Sequence, residues 1–334
     1  MRTRSAGRWF LPVTVLASTT ALLVPAASVR AEAATIAPTS CRAKMSGTFL
    51  QPSFPVFAWS SARYDRELTD MRNVGIRFVI DQWTVDMDAG EAYYAAPTVP
   101  YRQGPNMVGS LLAAAGRQGT GVWLGLGNVY NWQAHATDDA WLTKQLEVDK
   151  RIAADLWARY PGKIQGWYIS NEVDDKLLSN PAAVGPMKRF FTALTDYLHT
   201  NAGNLRVMTS PTYSGLNQSP AQFAHSVKDV LGAVDVLNVQ DGGGSGYIEA
   251  SDITNWFSAL SAALAGTGTA LWSDPDMYQV GRPMDPARLR ANLNATCGYA
   301  AVRTGFSFTT QMSPTTLGTD YYYKAYKKYV SGRM

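Results

Sequence analysis

Asn171 and Glu172 close an apolar stretch, and their side chains can do chemistry. Residues 165–174 begin as a buried strand, with Ile164, Trp167 and Ile169 supplying β-branched and aromatic bulk. A glutamate at such a tip can give or take a proton, and an asparagine beside it can hold a hydroxyl. The same pair also suits a helix start, where Asn171 would cap and Glu172 would favour the dipole. Other apolar runs end in similar residues: Asp81 and Trp83 after the second, Asn128, Tyr130 and Trp132 after the third. Gln240 and Asp241 follow the sixth, Asp274, Asp276 and Tyr278 the seventh, and Gln311 the eighth. Planar rings stack on sugar faces, while carboxylates and amides hydrogen-bond hydroxyls. Each residue has an ordinary alternative, since Asp after a strand often makes a turn and Trp often fills a core. Two carboxylates on separate strands could hydrolyse a glycosidic bond, one protonating the leaving oxygen while the other attacks or activates water.

Other chemistries lack their parts. His199 and His225 fall inside expected helices at no ligand spacing, and His135 lies in a loop. No Gly-x-Ser-x-Gly elbow surrounds a serine. The glycines at 242–246 lack the Lys-Ser/Thr of a phosphate loop and read as a flexible mouth loop. Neither metal nor cofactor is expected. Cys41 and Cys297 are the two cysteines, and a disulfide between them is expected in an oxidising compartment.

Those strand tips need a frame that gathers them. Apolar runs at 47–51, 76–83, 121–126, 164–170, 205–210, 234–241, 269–274 and 305–310 alternate with amphipathic segments at 62–73, 106–117, 138–160, 186–200, 219–231, 251–264, 285–302 and 319–330. Eight strand-then-helix units suit a single-domain α/β fold, a (β/α)8 TIM barrel, over 47–334, with 34–46 as a lead-in. A doubly wound open sheet fits less well, because no glycine-rich phosphate loop follows the first strand.

The first 33 residues read as a secretory signal peptide. Arg2, Arg4 and Arg8 precede an apolar run at 11–27, and Ala31-Glu32-Ala33 offers a cleavage site. Removal takes four Arg and one Glu, lowering the net charge from +4 to +1. The expectation is a secreted monomer acting on carbohydrate, with neither a nucleic-acid nor a membrane partner after cleavage.

Four blocks carry a resemblance: 47–51, 166–172, 234–241 and 271–276. They are similar to blocks of a secreted bacterial barrel family with a glycosidase-like domain of unknown function. Asn171-Glu172 itself resembles the acid/base signature of clan-A (β/α)8 glycoside hydrolases. The likeness runs from Gly47 to about Pro314 and implies a retaining hydrolase with Glu172 as general acid/base. Its proton would be held by neighbouring carboxylates. Clan-A relatives place a Glu nucleophile at the seventh strand, where this chain has Asp276, one methylene shorter, so either the backbone approaches more closely or the gap admits water and the mechanism inverts. Asp276 is the expected second carboxylate, with Asp274 and Asp241 as alternatives. A barrel that binds glycans without cleaving them is the other reading.

Overall fold

Seven parallel strands curl side by side in chain order. The computed structural model describes residues 41–332 apart from 54, 245, 247 and 281, all within one compact unit, Pro38–Met334. The expected signal peptide and its cleavage site lie outside the described residues. The strands are β1 (Gly47–Leu50), β2 (Phe78–Asp81), β3 (Gly121–Gly125), β4 (Gly166–Tyr168), β5 (Arg206–Thr209), β6 (Val236–Gln240) and β7 (Ala270–Asp274). Around them lie α1 (Ser61–Asn73), α2 (Met107–Gln118), α3 (Asp139–Arg159), α4 (Pro181–Asn201), α5 (Pro220–Leu231), α6 (Ala250–Leu264), α7 (Pro286–Ala295) and α8 (Tyr321–Ser331).

The barrel closes differently from the sequence expectation. Segment 302–306, not 305–310, fills the gap between β7 and β1. Thr304 N donates to Ser273 O at 2.8 Å, and Ser46 N donates to Arg303 O at 2.8 Å. Residues Phe308–Gln311 form a helical turn instead. The helix expected over 285–302 stops at Ala295, because the chain must turn back, with Gly298 at φ +83°, to reach the closing segment. Conversely, α4 starts at Pro181, capped by Asn180, and carries Pro186 in its second turn.

Strand alternation sorts the side chains into two layers. Phe49, Phe78, Ile80, Trp123, Tyr168, Met208, Val236 and Trp272 fill the lumen. Val79, Leu124, Trp167, Leu237 and Val239 face the helices. Gly166 makes room for this plug: a Cβ there would lie 2.4 Å from the Trp123 ring. Trp123 and Trp272 then meet edge to face at 5.5 Å. The expected disulfide is present, with Cys41 and Cys297 Cα atoms 6.2 Å apart across 256 residues of chain.

Candidate active site

Glu172 sits four residues beyond Trp-Tyr of β4, and it sits where the lumen opens. Tyr168 points inward from the same strand, and its hydroxyl donates to Glu172 Oε1 at 2.7 Å. Alternation carries Gln82 inward after Ile80, and its amide donates to the same oxygen at 3.0 Å. Gln240, two residues after Asn238 on β6, donates to Oε2 at 2.8 Å and to Ser210 O at 3.1 Å from the same nitrogen. Burial raises the proton affinity of Glu172 above the ordinary value, and these three donors oppose that rise. Burial, not neighbouring carboxylates as expected, is thus the cause.

Asp276 lies on the turn after β7. Its Oδ2 accepts from Gly244 N at 2.7 Å, and its own N–H donates to Asp241 Oδ1 at 3.3 Å. Burial, then the charges of Asp241 and Glu172, push its pKa up against the pull of the Gly244 amide. Gly243 and Gly244, read from the sequence as part of a flexible mouth loop, pack closely against the site. A Cβ at Gly244 would stand 2.8 Å from Asp276 Oδ2, and one at Gly243 would stand 2.7 Å from Asn292 Nδ2. Only a bare backbone can approach the carboxylates so closely.

Asp241 and Asp274 differ in what holds them. Asp241 is fully buried and accepts from Gly243 N at 2.9 Å and Asn292 Nδ2 at 3.0 Å. Its oxygens are occupied by protein donors, which removes it from the expected hydroxyl-binding set. Asp274 accepts from Thr304 at 2.8 Å, and burial raises its pKa well above the ordinary value. The ring of Tyr278 packs edge-on to Phe306 at 6.4 Å, and burial first, then the charges of Asp276, Asp241, Asp274 and Glu172, raise the pKa of its hydroxyl.

Several expected residues fall elsewhere. Asp81 is fully buried, and alternation turns it outward with Val79, away from the lumen. Neither of its carboxylate oxygens has a partner among the described residues, and burial holds its pKa well above the usual range. Trp132 is 3% exposed within the outer core, so it offers no face to a sugar. Trp83 packs half-buried against the same core. Tyr130 is 76% exposed, its N–H held by Asp88 at 2.6 Å. Asn128 belongs to a short outer ladder with Asp86. Gln311 ends the helical turn that replaced the eighth strand, its amide on Thr310 at 3.4 Å. Asn171 is buried, with Oδ1 unpartnered. Gln82, between Asp81 and Trp83 at the tip of the second strand, had no role assigned from the sequence. Inward alternation from Phe78 and Ile80 was the signal that could have selected it over Asp81. Among the described residues, no group of three or more His, Cys, Asp or Glu is arranged to hold a metal ion.

Comparison with known proteins places this site in context. Residues 45–318 match a family described as a domain of unknown function, DUF4434. No curated protein matches the sequence. Solved structures share the fold. A candidate alpha-L-fucosidase from Bacteroides thetaiotaomicron VPI-5482 superposes with TM-score 0.72 at 20% identity, over 92% of this chain and 99% of that one. The endo-beta-1,4-mannanase of Thermotoga petrophila gives TM-score 0.59 at 13% identity, over 87% and 76%. A GH113 beta-1,4-mannanase gives 0.58 at 13%, over 87% and 99%.

Proposed function

The chain belongs to the DUF4434 family, and we propose that it is a glycoside hydrolase with Glu172 and Asp276 as its carboxyl pair. One observation carries the reading. The two carboxyl groups come from different strand ends at the C-terminal mouth of a TIM barrel, and both are held from the end of β6, Glu172 by the Gln240 amide and Asp276 by the Gly244 N–H. Neither has a salt-bridge partner among the described residues. The names of the similar barrels support a carbohydrate substrate. Gln82, Gln240, Asp274 and Tyr278 line the same mouth and suit hydroxyl binding or stacking.

The test is turnover of a panel of dinitrophenyl glycosides and polysaccharides by wild type, Glu172→Gln and Asp276→Asn. Hydrolysis by wild type, with loss in both variants, is expected. Binding of a glycan without cleavage in all three proteins would make this a binding barrel. We further propose that the protein is exported, acts as a monomer and loses its first 33 or so residues. The basic-apolar-small order of those residues and the Cys41–Cys297 disulfide support this. Mature N-terminal sequencing of culture supernatant, with a sizing column, tests it. A full-length cytoplasmic product would overturn the export.

A further inference from the structure

Resting on the carbohydrate reading of the mouth, we infer that a second glycan site lies beside it. The cavity between the hairpin after β7 and the start of α8 holds a distal sugar of an uncharged polysaccharide whose reacting bond lies over Glu172 and Asp276.

The placement of exposed apolar side chains gives the first argument. Among the described residues, the exposed large apolar side chains are Tyr130, Leu216, Val280, Leu317 and Tyr321. Tyr130 lies between β3 and α3, Leu216 between β5 and α5, and Val280 between β7 and α7. Leu317 and Tyr321 follow the closing segment 302–306, Tyr321 as the first residue of α8. All five therefore stand on the strand-to-helix end of the barrel, the end that carries Glu172 and Asp276. Among the described residues, the outer faces of α1 to α7 and the helix-to-strand connections expose none. Single exposed apolar residues are ordinary, but chance scatter would put them at both ends.

A cavity gathers two of the five. Leu317 and Tyr321 line a space of about 410 Å³ together with Arg282, Pro283, Gln311 and Tyr322. Its size is that of a small-ligand site. Tyr321 is 72% exposed, which leaves its ring available to stack on a sugar face. Tyr322, buried at the floor, keeps a hydroxyl without a partner among the described residues. Arg282 has no ion-pair partner among them either, and its N–H groups suit hydroxyls. Asp285, in the same wall, offsets its charge, so the cavity suits an uncharged chain better than an anionic one. Gln311, expected from the sequence to bind substrate, stands in this wall and not against Glu172.

The hairpin makes the two places continuous. Tyr278, which lines the mouth, pairs with Pro283, and Gln279 pairs with Arg282. Opposed residues of an antiparallel pair stand roughly 5 Å apart, so the cavity wall begins one strand away from the mouth. Val280 N donates to Gly244 O at 3.1 Å, which ties the hairpin to the loop whose Gly244 N–H holds Asp276. A chain that crosses the hairpin passes from Tyr278 to the cavity along one rim. The substrate class is then a polymer, and not a single terminal sugar.

Affinity gel electrophoresis in soluble galactomannan, xylan, dextran or alginate reads binding without turnover, with Glu172→Gln as carrier so that the polymer stays whole. At least one of the three uncharged polymers is expected to retard the protein. Adding Tyr321→Ala should raise the dissociation constant about tenfold, and Tyr321→Phe, which keeps the ring, should not. In the otherwise wild-type chain, Tyr321→Ala should raise KM for that polymer by a similar factor, with kcat and the kinetics on a dinitrophenyl glycoside unchanged. Retardation by alginate alone or by no polymer overturns the proposal. So does retardation indifferent to Tyr321, or an equal loss on the dinitrophenyl glycoside. A protein retarded through Tyr321 but inert on every glycoside refutes the hydrolase reading and leaves the cavity a glycan site.

Discussion

Glu67 and Glu172 are both deep glutamates fixed by side-chain donors, and the contrast between them separates structure from chemistry. Glu67, on α1, is 1% exposed and accepts from Arg63 at 2.8 Å, Ser313 at 2.7 Å and Thr309 at 2.9 Å. Arg63 brings a full positive charge and stacks 4.3 Å over Trp59. This cluster pins the turns Phe308–Gln311 and Pro314–Leu317 to α1, and its charges cancel. Glu172 has neutral donors only, opens on the barrel mouth, and shares its surroundings with three aspartates. A carboxylate that stabilises is neutralised and closed off. One that reacts is held in place with its charge uncancelled, at a cost in stability.

The largest effect expected from that contrast is on activity. Glu172→Gln should lower kcat by about 10³-fold or more while denaturation midpoints stay within about 1 kcal/mol of wild type. A large loss of stability with normal kcat would invert the comparison. Glu67→Gln should do the reverse. It strands Arg63 and costs about 3 kcal/mol in urea unfolding, with kcat unchanged below the transition. Gly244→Ala sharpens the picture at the mouth. Its methyl would displace Asp276, so kcat should fall by about 10²-fold with little change in melting. Equal loss of stability and activity would mean the loop is only packing.

The most gradual effect, spread over several pH units, concerns Asp149, a buried carboxyl on α3 that uses no cation either. It accepts from Gly127 N at 2.9 Å and Gln145 Nε2 at 3.1 Å, and burial pushes it from 3.8 to about 7. Below about pH 4 both folded and unfolded chains hold the proton. Between about 4 and 7 the unfolded chain gives it up first, so stability falls as pH rises, by at most about 1.4 kcal/mol per unit. Asp149→Asn should flatten that part of the stability profile. An unchanged slope would mean that other buried carboxyls set it.

How much was legible turns on which residues alternate and which fold back. The pattern of apolar runs and amphipathic segments located the seven strands and the helices between them, because burying one face of each element leaves a local trace in the sequence. Asn171-Glu172 was visible for the same reason, as polar residues ending a strand with no apolar use. Asp81 was misassigned because a strand tip offers two faces, and the register that turns Gln82 inward and Asp81 outward is set by neighbouring strands. Trp132 was misassigned because a tryptophan in a loop carries no local mark of whether it stacks on a ligand or fills a core.

By itself the sequence determined the element order, the cysteine pairing and the strand ends that bear carboxylates. Periodicity, composition and a count of two thiols are properties of the chain alone. The tertiary structure decided the rest. Closure by segment 302–306 depends on the hydrogen-bonding edges of β1 and β7, which lie more than two hundred residues apart. The protonation of the site depends on distances between groups that the chain brings together only when folded. Gln82, Tyr168 and Gln240 converge on Glu172 from three strand ends, and Gly243 and Gly244, in the loop after β6, close on Asp241 and Asp276. A carboxyl's charge is set by its neighbours in space, and no spacing along the chain records them.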